Sequence, residues 1–543
     1  MKGPHVLIVG WDGATWSALE PLLAEGCLPT LAALRKRGAW GELESTIPPV
    51  TAPAWGTFMT GMEPARHGLL SWQLPLDAGG RRRWISARGL AAPSLWRRLS
   101  DAGRRVGVVN IPITYPPEPV NGCLVSGMLT PSVNANFTYP SDLRDALLAA
   151  APDYAPDVEM QETERDIRTA DGIARFLSEV RASIRHREVA LEVIWERGPF
   201  DLVCLMFEAP DRLQHPLWQY AVGRPAGSSE PTGEWEARRR AVAACYTELD
   251  AALARLLARC DEDTTVFLLS DHGFGPLRAI LHLNDWLASK GWLCYARSRA
   301  SARAALRRVL SPLRSWLPLS WARRGRATFA PLRMLDWSRT RAYAGLPMED
   351  GVWLNVRGRE PWGNVEPGRE YETLRDEIIA SLGELRHPNT GEPLVLRARR
   401  REDVHRGPYV VRAPDIVLEL APGVKVTPAM GQNAIVDDVA RQGRGHHHRA
   451  GILVAAGPGI RPGQICGARL ADMAPTVLAL MGLAIPPDLD GRVLDALLAA
   501  PSGRAALKPA EAKASAETER ASGYTDEEAA QVAARLRALG YLE

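Results

Sequence analysis

The sequence predicts an α/β fold, a mainly parallel sheet with helices on both faces, and three observations lead there. Short apolar strands recur without alternation, amphipathic helical stretches separate them, and acidic residues stand at or just past the C-terminal ends of three strands. A strand buried on both faces reads as a continuous Val/Ile/Leu run, whereas a strand with one wet face alternates.

Residues 5–10 read as the first strand. A helical pattern follows through Leu19, Leu22 and Leu23 and, after Pro29, through Leu31 and Leu34. Residues 105–110, 201–207 and 265–270 read as further strands, with long helical stretches over 167–195 and 241–259 before the last two. After Gly273 the rhythm breaks into a basic, Trp-containing insert, resumes near Trp353 and runs through strands at 416–420 and 452–455 to about residue 500. Residues 501–523, dominated by Pro, Ala, Ser, Lys and Glu, read as a flexible linker. Thr525-Asp-Glu-Glu528 is a capping box opening a last helix that should end at Gly540. The expected organisation is a core over 1–273 and 346–500, a cap insertion over 274–345, the linker, and a C-terminal helix over 524–543.

Of the 543 residues 46% are hydrophobic and 24% charged, which excludes wholesale disorder, collagen and coiled coil. No apolar run approaches the roughly 20 residues that span a bilayer. The first residues lack the pattern of a secretory signal, and seven cysteines are scattered singly with no CxxC pair, so the expected compartment is the reducing cytoplasm. Charge is concentrated: residues 297–333 carry ten arginines and no lysine or acidic residue, so without them the net charge of +3 would be −7. Within that insert Ala302, Ala305, Leu306, Val309, Leu310, Leu313, Trp316 and Leu317 recur at helical spacing with arginines off the stripe. Such a helix suits a membrane surface or, the blander and favoured reading, a cap packed on the core.

The chemistry-bearing residues cluster at the strand ends, where open α/β sheets place their ligands. They are Asp12 in Val-Gly-Trp-Asp-Gly, Asp211 in Glu-Ala-Pro-Asp-Arg-Leu-Gln-His with His215 four residues on, and Asp271-His272 in Leu-Ser-Asp-His-Gly. A triplet, His446 to His448, precedes the strand at 452. Each alone is explained by a helix cap or a polar loop; their conjunction is not. Mixed Asp and His donors suit Zn²⁺ or a similar first-row ion, whereas Mg²⁺ and Ca²⁺ favour oxygen throughout. Pro48-Pro-Val-Thr-Ala-Pro-Ala-Trp55 supplies the remaining piece. Pro53 suggests a helix from about Ala52, which puts Thr51 at a helix N-terminus, where backbone N–H groups stabilise an oxyanion. Beside two ligand sets its hydroxyl is the natural nucleophile, although alone it would read as an N-cap.

These motifs, together with Thr60-Gly-Met-Glu-Pro-Ala-Arg-His-Gly68, Asp472-Met-Ala-Pro-Thr476 and Asp490-Gly-Arg492, resemble the alkaline phosphatase superfamily over about residues 4–498. The branch they most resemble is the type I phosphodiesterase/nucleotide pyrophosphatase family. The resemblance implies an alkaline-phosphatase-like three-layer sandwich and two divalent ions, Zn²⁺ or alternatively Mn²⁺. One ion would be held by Asp12, Thr51, Asp271 and His272, the other by Asp211, His215 and one of the clustered histidines. Spacing to the following glycine favours His447 and the adjacent arginine favours His448; His447 is the expected ligand, with His448 the alternative. It further implies hydrolysis of a small-molecule phosphate ester, foremost a phosphodiester or pyrophosphate, through a phospho-threonine on Thr51. Sulfatase relatives build their cofactor from Cys-x-Pro-x-Arg, and the corresponding Thr51, Pro53 and Trp55 cannot. The rivals are a phosphomonoesterase, a phosphoglycerate-mutase-like phosphotransferase, and a non-catalytic relative whose insert docks on an anionic surface. No sequence-specific nucleic acid is expected as a partner. A homo-oligomer through the C-terminal helix is a further expectation.

Overall fold

The strand Val6–Trp11 is the axis of the molecule. Its side chains alternate: Leu7, Val9 and Trp11 enter one hydrophobic layer, Val6 and Ile8 the other. A computed structural model describes residues 3–77, 79–157, 169–224, 230–296, 334–432, 434–499 and 523–538. The central sheet runs, edge to edge, through Gly463–Arg469, Ala39–Glu44, Ala450–Ala456, Thr265–Leu269, Val6–Trp11, Leu202–Phe207, Val106–Val109, Gly122–Val125 and Thr138–Tyr139. All but Ala450–Ala456 and Thr138–Tyr139 point the same way. The mainly parallel sheet expected from unalternated apolar strands is therefore present, in the three-layer arrangement.

On one face lie the helices Trp16–Ala24, Pro29–Arg37, Ala170–Trp195, Ala209–Val222 and Thr232–Leu257; on the other lie Thr51–Thr60, Leu95–Asp101 and Met473–Leu480. Long-range polar contacts join these layers. The N-terminus of Pro29–Arg37 has no side-chain cap of its own, and Asp250 of a distant helix accepts from the amides of Thr30 (2.9 Å) and Leu31 (2.8 Å) instead.

One expected strand belongs elsewhere. Ile416–Leu420 does not extend the central sheet but pairs antiparallel with Val395–Arg400 and Gly351–Leu354. A short apolar run fixes strand character without choosing its sheet. These strands share a separate hydrophobic cluster with Leu281, Leu283, Trp286, Trp353 and Ile378. The chain returns to the central sheet with Ala450–Ala456. The basic stripe at 302–317, all of 297–333 and the linker up to residue 522 lie outside the described residues. The capping box forms as read: Glu528 N–H donates to Thr525 Oγ1 (3.2 Å) and Thr525 N–H to Glu528 Oε2 (2.8 Å). The helix Asp526–Ala538 packs on its own chain, with Val532 and Leu536 buried beside Val50, Ala52 and Trp72. Among the described residues no helix is long and apolar enough to cross a membrane.

Candidate active site

Asp12 follows the end of Val6–Trp11 directly, Asp271 follows Thr265–Leu269 by two residues, and Asp211 occupies the first turn of the helix after Leu202–Phe207. The three strands are neighbours in the middle of the sheet, so three carboxylates far apart in sequence meet at their C-terminal ends. All are buried. The turn after Asp12 needs Gly13, whose φ is +67°. Its N–H donates to Asp271 Oδ1 (3.2 Å), and its carbonyl accepts from Gln214 Nε2 (2.8 Å).

Thr51 is the first residue of the helix Thr51–Thr60, which begins one residue earlier than the proline pattern suggested. Pro53 stays in the first turn, where its missing N–H costs nothing. The N-cap is Val50, without a side-chain bond. The Thr51 hydroxyl is therefore not spent on capping. It is fully buried and lies 3.3 Å from His272 Nε2.

Two overlapping groups of donors form. His272 Nε2 lies 3.7 Å from Asp12 Oδ1 and 3.5 Å from Asp271 Oδ2. Across from it, His447 Nε2 lies 3.2 Å from Asp211 Oδ1 and 3.1 Å from His215 Nε2, which is itself 3.5 Å from Asp211 Oδ1. Ligand atoms of Asp12, Asp271 and His272, and again of Asp211, His272 and His447, fall within 4.8 Å of one another. His272 stands between the groups, its ring stacked on His447 at 3.8 Å. Every residue expected at the site is brought there.

The pairing register chooses among the three histidines. Gly445–His448 runs antiparallel to Gly273–Pro276, with His447 opposite Phe274 and His448 opposite Gly273. Successive side chains on a strand point to opposite faces. His447 faces the carboxylates with a side chain 2% exposed, while His448 is on the surface. His447 Nδ1 donates to Pro49 O (2.9 Å) and His272 Nδ1 to Gly273 O (3.2 Å). Each bond ties Nδ1 to the backbone and leaves Nε2 directed inward.

The electrostatics follow from burial and crowded charge. Burial, then repulsion from Asp271 and Asp211, holds the Asp12 carboxyl well above its usual range. Burial also pushes Asp271 up to about 8, with Asp211 adding to it. His215 falls to about 4, and His272 is also held well below its ordinary range, because burial disfavours the imidazolium. Asp211 goes the other way: burial would raise it, but His215, His447 and Arg212 hold it well below the carboxylate range. Asp12 Oδ1 and Asp271 Oδ2 are buried and accept no hydrogen bond. Buried carboxylate oxygens without donors, facing imidazole nitrogens, fit the donor set of a divalent cation.

A family model, type I phosphodiesterase / nucleotide pyrophosphatase, matches residues 6–448, a span that includes every one of these donors. The chain belongs to that family. The family lies in the alkaline phosphatase superfamily, its members are metal-dependent, and its chemistry is phosphoester hydrolysis. Among solved structures, phosphonoacetate hydrolase from Sinorhizobium meliloti 1021, seen with phosphonoformate and with phosphonoacetate, is similar at 17% identity. The match covers 87% of this chain and 94% of that one with a TM-score of 0.52, a likeness of fold. Murine ectonucleotide pyrophosphatase / phosphodiesterase 5 gives 14% identity, 89% and 96% coverage and a TM-score of 0.47. No curated protein matches the chain.

Other family motifs prove structural. In Thr60–Gly68, Glu63 N–H and Arg66 Nη1 bind Asp490 (2.9 and 2.8 Å), and His67 is buried against Thr57 Oγ1 at 3.1 Å. Three residues gained a role only from the structure. Arg212 Nη1 donates to Asp211 Oδ2 (2.9 Å), Trp55 Nε1 donates to Asp12 Oδ2 (3.1 Å), and the Phe274 ring touches His215, His272 and His447. Trp55 and Arg212 lie within the quoted motifs and Phe274 directly follows one, which was the signal available.

Proposed function

We propose that this phosphoester hydrolase cleaves phosphodiester or pyrophosphate bonds through a covalent phospho-threonine on Thr51, at a site for two divalent ions. Asp12, Asp271 and His272, with the Thr51 hydroxyl, would hold one ion, and Asp211, His215 and His447 the other; Zn²⁺ suits these donors best, with Mn²⁺ next. Bound ions supply Lewis-acid charge that favours the Thr51 alkoxide and offsets the negative charge of the phosphoryl oxygens.

The chain's own part is positioning. The buried Thr51 hydroxyl lies at a helix N-terminus against His272, which belongs to both donor groups, and that placement carries the proposal. Thr51 Oγ1 attacks phosphorus in line, the ester bond opposite breaks, and the leaving alcohol or phosphate departs. Water then attacks the phospho-threonine from the vacated side, releasing phosphate product and restoring the hydroxyl. The helix N-terminus and the oriented backbone amides favour the charge that builds up there. Exclusion of water from the buried donors strengthens each of these interactions.

Quenching a reaction with a chromogenic diester in acid and mapping the peptides tests this reading. Phosphate on the peptide bearing Thr51, absent from Thr51→Ala, is the expected result. Turnover without any such peptide, and undiminished in Thr51→Ala, would overturn it.

A further inference from the structure

Trp55 stands one helical turn after Thr51, on the same helix, and is wholly buried. Its Nε1–H donates to Asp12 Oδ2 at 3.1 Å, whereas Asp12 Oδ1 accepts no hydrogen bond and faces His272 Nε2. One carboxylate oxygen is thus tied and the other presented. Room for the indole comes from Gly10, two residues before Asp12: a Cβ there would lie 2.5 Å from the Trp55 ring. Gly10 and Asp12 at the end of the first strand, and Thr51 and Trp55 on the helix, therefore form one unit.

The other carboxylates are tied differently. Asp271 Oδ1 accepts from the Gly13 amide, and Asp211 Oδ2 from Arg212. Of these three donors, only the indole comes from the helix that carries Thr51. The χ2 torsion of an aspartate is broad and roughly two-fold, so without a partner the carboxylate turns with little resistance.

We propose that Trp55 is a positioning residue whose indole N–H sets the rotation of the Asp12 carboxylate relative to the Thr51 hydroxyl, so that the ion held by Asp12, Asp271 and His272 sits in register with the nucleophile. This rests on the two-ion reading above. Partners that orient a metal ligand typically change metal affinity by about 10- to 100-fold. Loss of the indole N–H should act on one ion only, because Asp12 belongs to one donor group.

The test is zinc affinity of the metal-stripped full chain, measured by competition with a chromophoric chelator. Trp55→Phe removes the N–H, and benzothienylalanine at position 55 removes it while keeping the ring volume, so a packing defect is separable from the lost hydrogen bond. Gly10→Ala should push the indole aside and act alike. The expected result is one ion weakened roughly ten- to a hundredfold and the other unchanged. Unchanged affinity for both ions in the benzothienylalanine protein, or equal weakening of both, would overturn the role of Trp55. A wild-type chain that binds no zinc would instead overturn the two-ion reading itself.

Discussion

Thr51 Oγ1 and His272 Nε2 lie 3.3 Å apart, although 221 residues separate them in the chain. The contact joins the start of a helix on one face of the sheet to the end of a central strand, and it brings the nucleophile candidate against a donor shared by both groups. Removing the hydroxyl leaves every carboxylate and imidazole in place. Thr51→Ala should therefore lose at least about 10³-fold in kcat, the scale of losing a covalent route, while metal content stays near that of the wild type. Elemental analysis beside kinetics decides it, and near-normal turnover would remove Thr51 from the mechanism.

The register of Gly445–His448 makes the three histidines unequal. His447→Ala and Asp211→Asn should lose bound metal and activity together, since each removes a donor from the same group. His448→Ala should keep both, because its ring lies on the surface. Metal-to-protein ratios of the three purified variants are the measurement, and metal loss in His448→Ala with retention in His447→Ala would reverse the assignment.

Diesters should be hydrolysed in preference to monoesters. A monoester dianion carries one more charge than a diester, yet Val50, Ala52, Ala54 and Trp55 around Thr51 are apolar and buried. Arg66, the first Arg or Lys after Thr51 in sequence, is bonded to Asp490 at 2.8 Å, and Arg212 is shared between Asp211 and Asp157. If an ion pair that neither of these two arginines supplies is worth about 1.4 kcal/mol, kcat/KM differs by about tenfold. An aryl phosphate and its matched methyl diester give the comparison, and preference for the monoester would contradict the reading.

The C-terminal helix is part of the folded unit. Leu536 and Val532 are buried, Tyr524 stacks on Tyr115 at 5.6 Å, and the Tyr524 hydroxyl donates to Leu129 O at 2.9 Å. Leu536→Ala should cost about 2–4 kcal/mol of unfolding free energy by leaving a cavity. Urea denaturation measures it; a change below about 0.5 kcal/mol, the level of an ordinary surface substitution, would mean that the helix is not docked in solution.

Asp350 provides a pH test away from the metal donors. Burial, with Glu349 adding and Lys425 opposing, raises its carboxyl to about 7. A raised folded-state value means that the folded protein holds the proton more tightly than the unfolded chain. This contribution is complete below the ordinary aspartate value of 3.8 and is lost as pH rises toward 7. Asp350→Asn should therefore gain stability relative to wild type across that window and level off above it. Denaturation midpoints at a series of pH values check this, and a constant difference would contradict it.

Local chemistry determined much of this protein. Residues 5–10, 201–207 and 265–270 announce buried strands because each holds an unbroken apolar run, at 6–9, 202–207 and 266–269. Asp12, Asp211 and Asp271 announce a site because each follows such a run, and Thr51 announces a helix start because Pro53 permits little else in the first turn. Family membership follows from the same motifs. Tertiary structure decided what local periodicity does not encode. His447 rather than His448 depends on register against Phe274, about 170 residues away, and a shift of one residue would exchange them. The placement of Ile416–Leu420 in the second sheet depends on its partners, not on its own composition. The bond from Trp55 to Asp12 depends on the space left by Gly10. Each of these is a contact between distant segments, and distant contacts are chosen by the packing of the whole chain.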